Sequence, residues 1–589
     1  MRQVTVQACR TARRAPVWNI AAKRPCPLTF NQLRGIRPYS GGRRSSHTPV
    51  APRSSMHRRN LSLAVISTVV ASGAWYTCQG DTVKSAATQI RSFASSALNS
   101  AYAEGPAEST RRALLVSGDQ FYTATLSADQ PLTKHTDDSD RRVLEMLTPE
   151  QATQKLRKNE ESYLVNRGKG VVRYDVVQVP SNSPIEDDHA EKIVEIPASV
   201  SAVSDGEPSS DWMFWGVFDG HSGWTTSAKL RNVLISYVAR ELNTTYKAAS
   251  ADPSLLMPTS EAIDAAIKKG FVRLDNDIVH ESFKEVMKSK SRRVAAELLA
   301  PALSGSCALL SFYDSQTKDL KVAVTGDSRA VLGRRSPSGK WTATALSEDQ
   351  TGGTPSEMKR LREEHPGEPY VTKNGRILGQ LEPSLEPGRP RYNKSEVLWA
   401  HSSSYAEDAP YVTAEPIITT TKIDPSKGDF VVMATDGLWE MLSNEEVVGL
   451  VGHWVEQQQS AAASTGSKAW LQSWFGFDGQ KKLPVETAAD GSTEGQRRPI
   501  RQQQYDISGA ASRFVVEDKN AATHLVRNAM GGKDKDMVCA LLTLPSPYSR
   551  RYRDDVTVEV IFFGQGPDSR TVEVNQEASA SEQPPKSKL

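Results

Sequence analysis

Acidic side chains are missing from the start of this chain: no Asp or Glu occurs before Asp81, while thirteen Lys and Arg lie between Arg2 and Arg59. An acid-free, Ser-containing basic stretch reads as a mitochondrial presequence over residues 1–60, the alternative being a basic arm for anionic surfaces. Without those thirteen, 59 basic residues face 69 acidic ones. That balance has no general affinity for nucleic-acid phosphate and excludes that partner class. Cysteine is scarce. Cys9, Cys26 and Cys78 fall in the leader and the apolar stretch after it, and Cys307 and Cys539 alone build neither a disulfide framework nor a zinc site. No Gly-rich loop ending in Lys-Ser/Thr is present to cradle a nucleotide, and no repeat has a solenoid-like period. The apolar run Leu61–Tyr76 falls short of the about 20 residues a bilayer span needs. It is either a short inner-membrane anchor or the end of the leader.

What remains has the composition of a globular protein, 38% hydrophobic and 24% charged, sufficient for one large core. Residues 77–140 read as a linker, 141–565 as a single domain with a mobile Gln/Ala/Ser/Thr/Gly-rich insertion at about 457–505, and 566–589 as a disordered tail. Within that insertion Trp470, Trp474 and Phe475 read as a hydrophobic staple against the body. A polar start at Thr148-Pro149-Glu150 predicts a helix over 151–164. Trp212–Phe218 is a short, aromatic-rich apolar run and predicts a buried strand. Apolar residues spaced from Trp224 through Ala228, Leu234, Val238 and Leu242 predict an amphipathic helix, with another over 262–286. Further strands are expected at 306–313, 320–325, 330–334, 430–434 and 556–563. Ser443-Asn-Glu-Glu446 has the form of a capping box opening a helix.

Four acidic clusters punctuate these elements: Glu186-Asp187, Asp219-Gly220-His221, Asp436-Gly437 and Asp554-Asp555. Taken singly, an Asp-Gly pair is usually a turn and Glu186-Asp187-Asp188 a solvated loop. Asp219 and Asp436, however, each follow an apolar strand and precede a helix. Strand-end carboxylates gathered without matching basic residues repel one another unless a cation lies among them. Oxygen-only ligation favours Mg²⁺ or Mn²⁺ over zinc, and a pair of such ions is suited to in-line displacement at phosphorus. The glycine after Asp219 lets its carbonyl approach an ion, and His221 is placed to protonate a leaving oxygen.

The segments Val217-Phe-Asp-Gly-His-Ser-Gly223, Thr325-Gly-Asp-Ser-Arg-Ala330, Ala434-Thr-Asp-Gly-Leu-Trp-Glu440 and Arg553-Asp-Asp-Val-Thr557 resemble the signatures of the metal-dependent type 2C serine/threonine protein phosphatases. Asn182-Ser-Pro-Ile-Glu-Asp187 and the Arg553 segment are most similar to the mitochondrial pyruvate dehydrogenase phosphatase branch. The resemblance implies an α+β fold, a four-layer sandwich of two antiparallel β-sheets flanked by α-helices, with metals in a cleft at one edge. It implies two Mn²⁺ or Mg²⁺ ions: Asp219 bridging both, the Gly220 carbonyl and Glu186 on one, Asp436 and Asp554 on the other. Asp187 would orient the attacking water, while Asp327 and Glu440, with Asp436, would form a third, weaker site. The implied substrate is a phosphoserine or phosphothreonine protein, the pyruvate dehydrogenase α subunit by branch. The competing reading is a non-catalytic module that binds phosphoproteins.

Two positions depart from the family pattern. Many members carry a phosphate-binding Arg where this chain has Asn182, a trait the pyruvate dehydrogenase phosphatase branch shares. Another basic residue must then receive the phosphate, and Arg173 is the candidate. After Arg376–Ser384 the family continues Ser-Arg-Ala-Phe-Gly-Asp, whereas here the text is Ser384-Leu-Glu-Pro-Gly-Arg-Pro-Arg-Tyr392. That is either genuine divergence or a local shift of reading frame, and resequencing the transcript separates the two.

Overall fold

The structure is a computed structural model describing residues 110–117, 120–127, 142–197, 210–255, 257–379, 381, 411–463, 483–487, 496–505 and 511–580. Contacts divide the chain into Met1–Gly105 and Pro106–Leu589, and every described residue belongs to the second unit. The expected presequence, the apolar run 61–76, the expected staple residues Trp470, Trp474 and Phe475, and the segment 384–392 lie outside the described residues. Among the described residues no helix is long and apolar enough to cross a membrane.

Two sheets face each other. One has five strands in the order Ile417–Lys422, Asp319–Thr325, Ala308–Asp314, Ser210–Phe218, Asp188–Ile196, all antiparallel. The other has eight: Val485–Thr487, Trp341–Ala345, Arg329–Arg335, Phe430–Ala434, Val556–Phe563, Val171–Val179, Glu160–Arg167, Asp568–Val574. Its single parallel pair joins Trp341 to Val485 at the edge. Alternation along each strand sends Tyr174, Trp215, Leu309, Val431 and Ile561 into the space between the sheets. The outer face of the five-stranded sheet carries helices Thr225–Ala251 and Ser260–Asn276 through Phe214, Leu234, Val238 and Phe271. Helices Asn444–Ala463, Ala521–Ala529 and Lys535–Thr543 cover the other sheet through Val432, Leu450, Leu525 and Leu541. These are the four layers expected from the resemblance.

Most predicted elements fall where the periodicity put them, and the differences have local causes. The helix expected over 151–164 is Pro149–Arg157, opened by a Thr148–Gln151 capping box. The β-favouring Tyr163-Leu164-Val165 belongs instead to strand Glu160–Arg167. The helix expected over 262–286 is Ser260–Asn276, a π-helical turn Asp277–Glu281, then Ser282–Ser289. Part of the expected linker is a hairpin, Thr110–Ser117 with Gln120–Ser127, whose first strand also pairs with Arg142–Glu145. Leu114 and Val116 of that hairpin join the core, so the domain begins earlier than residue 141. The sequence predicts a disordered tail after Gly566. In the structure Asp568–Val574 pairs with Glu160–Arg167 and closes the sheet's edge, and its polar outward composition is what an edge strand needs. The insertion is also partly built: Asn444–Ala463 continues into it as helix, and Ile500–Gln504 is helical.

Candidate metal centre

The register brings the acidic strand ends to one rim. Phe218 pairs with Asp188 and Val217 with His189, which places Asp187 beside Asp219. Ala308 pairs with Thr325, and Arg329 with Ala434, which carries Asp327 toward Asp436. Val556 pairs with Val179, and Ala434 with Val558, so Asp554 and Asp555 enter from the same side. Two cross-links lock this rim: Thr435 N donates to Thr557 O at 3.1 Å, and Thr557 N donates to Thr435 Oγ1 at 3.0 Å.

Carboxylate oxygens of Asp219, Asp327 and Asp436 all lie within 4.8 Å of one another. Burial pushes the carboxyl of Asp219 well above its ordinary range, and Asp187, Asp436, Asp327 and Asp554 add to the shift. Asp436 is raised by burial, then by Asp327, Asp554 and Glu440. Asp554 is raised more mildly, because Arg550 opposes the burial. An all-oxygen set of mutually repelling, poorly solvated carboxylates fits a hard divalent cation, which would relieve each of these shifts at once. The tightest group therefore contains Asp327, expected only at a weaker third position.

Asp187 is buried, and its Oδ2 accepts from Thr435 Oγ1 at 2.9 Å and Thr557 Oγ1 at 2.8 Å. Glu186 accepts from Gly223 N at 2.7 Å, and Ser227 Oγ donates to the Glu186 carbonyl. A Cβ on Gly220 would lie 2.1 Å from that same carbonyl oxygen, so no side chain fits there. His221 follows in a two-residue strand paired with Gly305. Glu440 is buried at the end of helix Asp436–Trp439, its Oε2 accepting from Arg501 Nε at 2.8 Å. Asp327 Oδ1 accepts from Cys307 Sγ at 3.2 Å.

Two residues singled out by the sequence have structural roles that the sequence does not show. Asp555 takes the amides of Asn182 at 2.8 Å and Glu186 at 2.9 Å, and also accepts from the Ser181 amide. It thereby folds the loop that presents Glu186 and Asp187. Asn182 donates its own amide to Asp555 Oδ2 at 3.0 Å and Glu186 Oε2 at 3.3 Å, so it is a fastener of that loop. The Asp-Asp spelling was visible, but which carboxylate turned inward was not. Arg173 is not at the site. It forms a bidentate pair with Asp175 at 2.7 and 2.8 Å, and its guanidinium lies 5.0 Å over the ring of Trp454. Six positions separate it from Val179, about 20 Å along an extended strand, so the expectation for Arg173 is corrected.

Comparison with known proteins agrees with this geometry. The family description "Protein phosphatase 2C" matches residues 183–472. Mitochondrial pyruvate dehydrogenase (acetyl-transferring) phosphatase 1 of Saccharomyces cerevisiae is 42% identical over 76% of this chain and 79% of its own length. A protein phosphatase 2C homolog of Schizosaccharomyces pombe is 42% identical over 70% and 85%. The human pyruvate dehydrogenase phosphatase 1 is 29% identical over 71% and 83%. The chain belongs to the protein phosphatase 2C family of metal-dependent protein serine/threonine phosphatases, in its pyruvate dehydrogenase phosphatase-like branch.

Proposed function

We propose that this enzyme dephosphorylates the α subunit of pyruvate dehydrogenase in mitochondria, with two Mg²⁺ or Mn²⁺ ions and a third held more weakly. The convergence of Asp219, Asp327 and Asp436 within 4.8 Å is the observation that carries the chemistry. The names of the yeast and human relatives support the substrate. Asp219, Glu186, the Gly220 carbonyl, Asp436 and Asp554 would hold the two principal cations, and Asp327 and Glu440, with Asp436, the third. When bound, the cations supply positive charge that acidifies water and neutralises phosphoryl oxygens.

The remaining steps belong to the chain. Asp187, fixed by Thr435 and Thr557, orients the attacking water. As the new O–P bond forms, the ester P–O bond breaks and His221 gives its proton to the departing seryl or threonyl oxygen, while the proton shed by the attacking water passes through solvent and restores the imidazole. No phosphoenzyme is needed. The basic leader directs the protein to mitochondria, and residues 61–76 decide between the matrix and an inner-membrane anchor facing the intermembrane space.

The test is phosphate release from a phosphoserine peptide of that subunit. Chelation or Asp219→Asn abolishes turnover, and His221→Ala slows it about 100-fold. In mitochondria lacking the protein, phosphorylation of the α subunit rises. Unchanged phosphorylation there rejects the substrate and leaves the phosphatase chemistry standing.

A further inference from the structure

Arg550 stands on the three-residue 3-10 turn Ser549–Arg551, which is tied down on both sides. The buried Ser549 donates its hydroxyl to the Ser181 carbonyl, and its amide bonds Pro545 O at 3.0 Å. The turn is thus fastened to the loop presenting Glu186. From it the Arg550 guanidinium reaches Glu186 Oε2 at 3.0 Å and Asp554 Oδ2 at 3.7 Å, with 46% of the side chain exposed. Those two carboxylates belong to different cation positions in the reading above, so the half-exposed guanidinium lies between them.

Neighbouring basic groups are committed elsewhere. Arg231 pairs with Asp188 at 3.1 Å, and Arg501, besides Glu440 at 2.8 Å, donates Nη1 to Gln504 Oε1 at 2.7 Å and to Arg551 O at 3.0 Å. Arg553 is buried and bonded to the carbonyls of Pro180 at 2.7 Å and Leu541 at 3.2 Å. Asn182 carries no charge, and its amide is spent on Asp555 and Glu186.

We propose that Arg550 is the residue that receives the substrate phosphoryl group, taking the place left by Asn182. This rests on the phosphatase reading of the same site. With Glu186 and Asp554 engaged by cations, the guanidinium exchanges carboxylate partners for phosphoryl oxygens, which its planar fork matches in a bidentate manner. It anchors the phosphate in the ground state and in the product complex alike, so it acts on KM and on product inhibition more than on kcat.

The experiment compares the full-length protein with Arg550→Ala and Arg550→Lys in saturating Mn²⁺, using inorganic phosphate as the probe. Phosphate binding is measured by calorimetry, product inhibition by phosphate and KM by turnover, and Mn²⁺ binding by thermal shift. Arg550→Ala weakens phosphate binding about 10- to 100-fold and raises KM in step, while Mn²⁺ binding is retained. Arg550→Lys recovers part of the loss. An Arg550→Ala protein that binds phosphate as tightly as wild type overturns the assignment. Loss of Mn²⁺ binding together with phosphate overturns it too, because the arginine would then be holding carboxylates in place. Failure of the underlying reading looks different: the wild-type protein itself would release no phosphate with Mn²⁺.

Discussion

Arg501 clasps Glu440 twice: its Nε donates to Oε2 at 2.8 Å and its backbone amide to the Glu440 carbonyl at 2.9 Å. A segment that reads from sequence as a mobile insertion therefore fixes a carboxylate at the rim of the metal centre. Only 14% of the Arg501 side chain and 9% of Glu440 are exposed, so removing the arginine leaves a poorly solvated charge. Arg501→Ala is expected to cost about 2 kcal/mol of stability in urea denaturation without divalent cations. Saturating Mn²⁺ shrinks that loss, since a cation on Glu440 replaces the guanidinium. A loss equal with and without Mn²⁺ would argue against Glu440 as a metal ligand.

The metal-free site is a point of stored repulsion. Asp219 feels Asp187, Asp436, Asp327 and Asp554 from a buried position, and neutralising it removes four unfavourable pairings. In EDTA at pH 7.5, Asp219→Asn is expected to be more stable than wild type by about 1 to 2 kcal/mol. With millimolar Mn²⁺ the order reverses, because the cation stabilises wild type by mass action and the variant much less. Paired thermal melts check this, and a variant less stable than wild type in EDTA contradicts it.

Much of this arrangement was legible in the chain because its signals are local. Trp212–Phe218 is an apolar run that ends at Asp219 and Phe430–Ala434 one that ends at Thr435-Asp436, and the Ser443–Glu446 capping box forms as spelled, with both bonds present at 3.0 and 3.2 Å. What escaped depends on partners distant in sequence. Asp568–Val574 looks like a tail until Glu160–Arg167 offers it an edge. Arg550 looks like any surface arginine until the turn at Ser549 is pinned to Ser181. Arg173 lies in strand Val171–Val179, which is not among the elements expected from the sequence, and its partner Asp175 and the direction of the strand decide that it faces away from the chemistry.

His524 gives the fold a defined acid sensitivity. It is fully buried, with Nε2 donating to Leu450 O at 3.2 Å and Nδ1 accepting from Asn528 Nδ2 at 3.2 Å. A proton on Nδ1 would face a donor, and burial is the larger cause holding the imidazole down at about 4 against an ordinary 6.5. The folded value is depressed, so the unfolded chain takes up the proton first. Stability is intact above pH 6.5 and falls as the pH drops toward 4, by on the order of 3 kcal/mol in all. In urea titrations from pH 7 to 4, His524→Gln is expected to flatten this part of the profile. An unaltered slope would assign the acid sensitivity to other groups.

Glu559 occupies a position that its strand would fill with an aliphatic residue. It pairs with Met433 and Val176 in the middle of Val556–Phe563, while its inward-facing neighbours Val431, Met433 and Ile561 form the inter-sheet core. It is wholly buried and neither carboxylate oxygen has a hydrogen-bond donor. Burial and then the nearby Glu191 push its carboxyl well above the ordinary range. Glu191 has its own partner, His189 Nδ1 at 2.6 Å, whereas Glu559 Oε1 stands 4.0 Å from that nitrogen. Replacing a buried acid whose polar partners are only Glu191 and the distant His189 ring by an apolar side chain of similar size removes a desolvation cost larger than the contacts it forfeits. Glu559→Leu is therefore expected to raise stability by about 1 to 3 kcal/mol in urea denaturation and to leave phosphate release unchanged. A loss of stability would mean that the protonated carboxyl donates to Glu191 with a strength exceeding the desolvation it incurs.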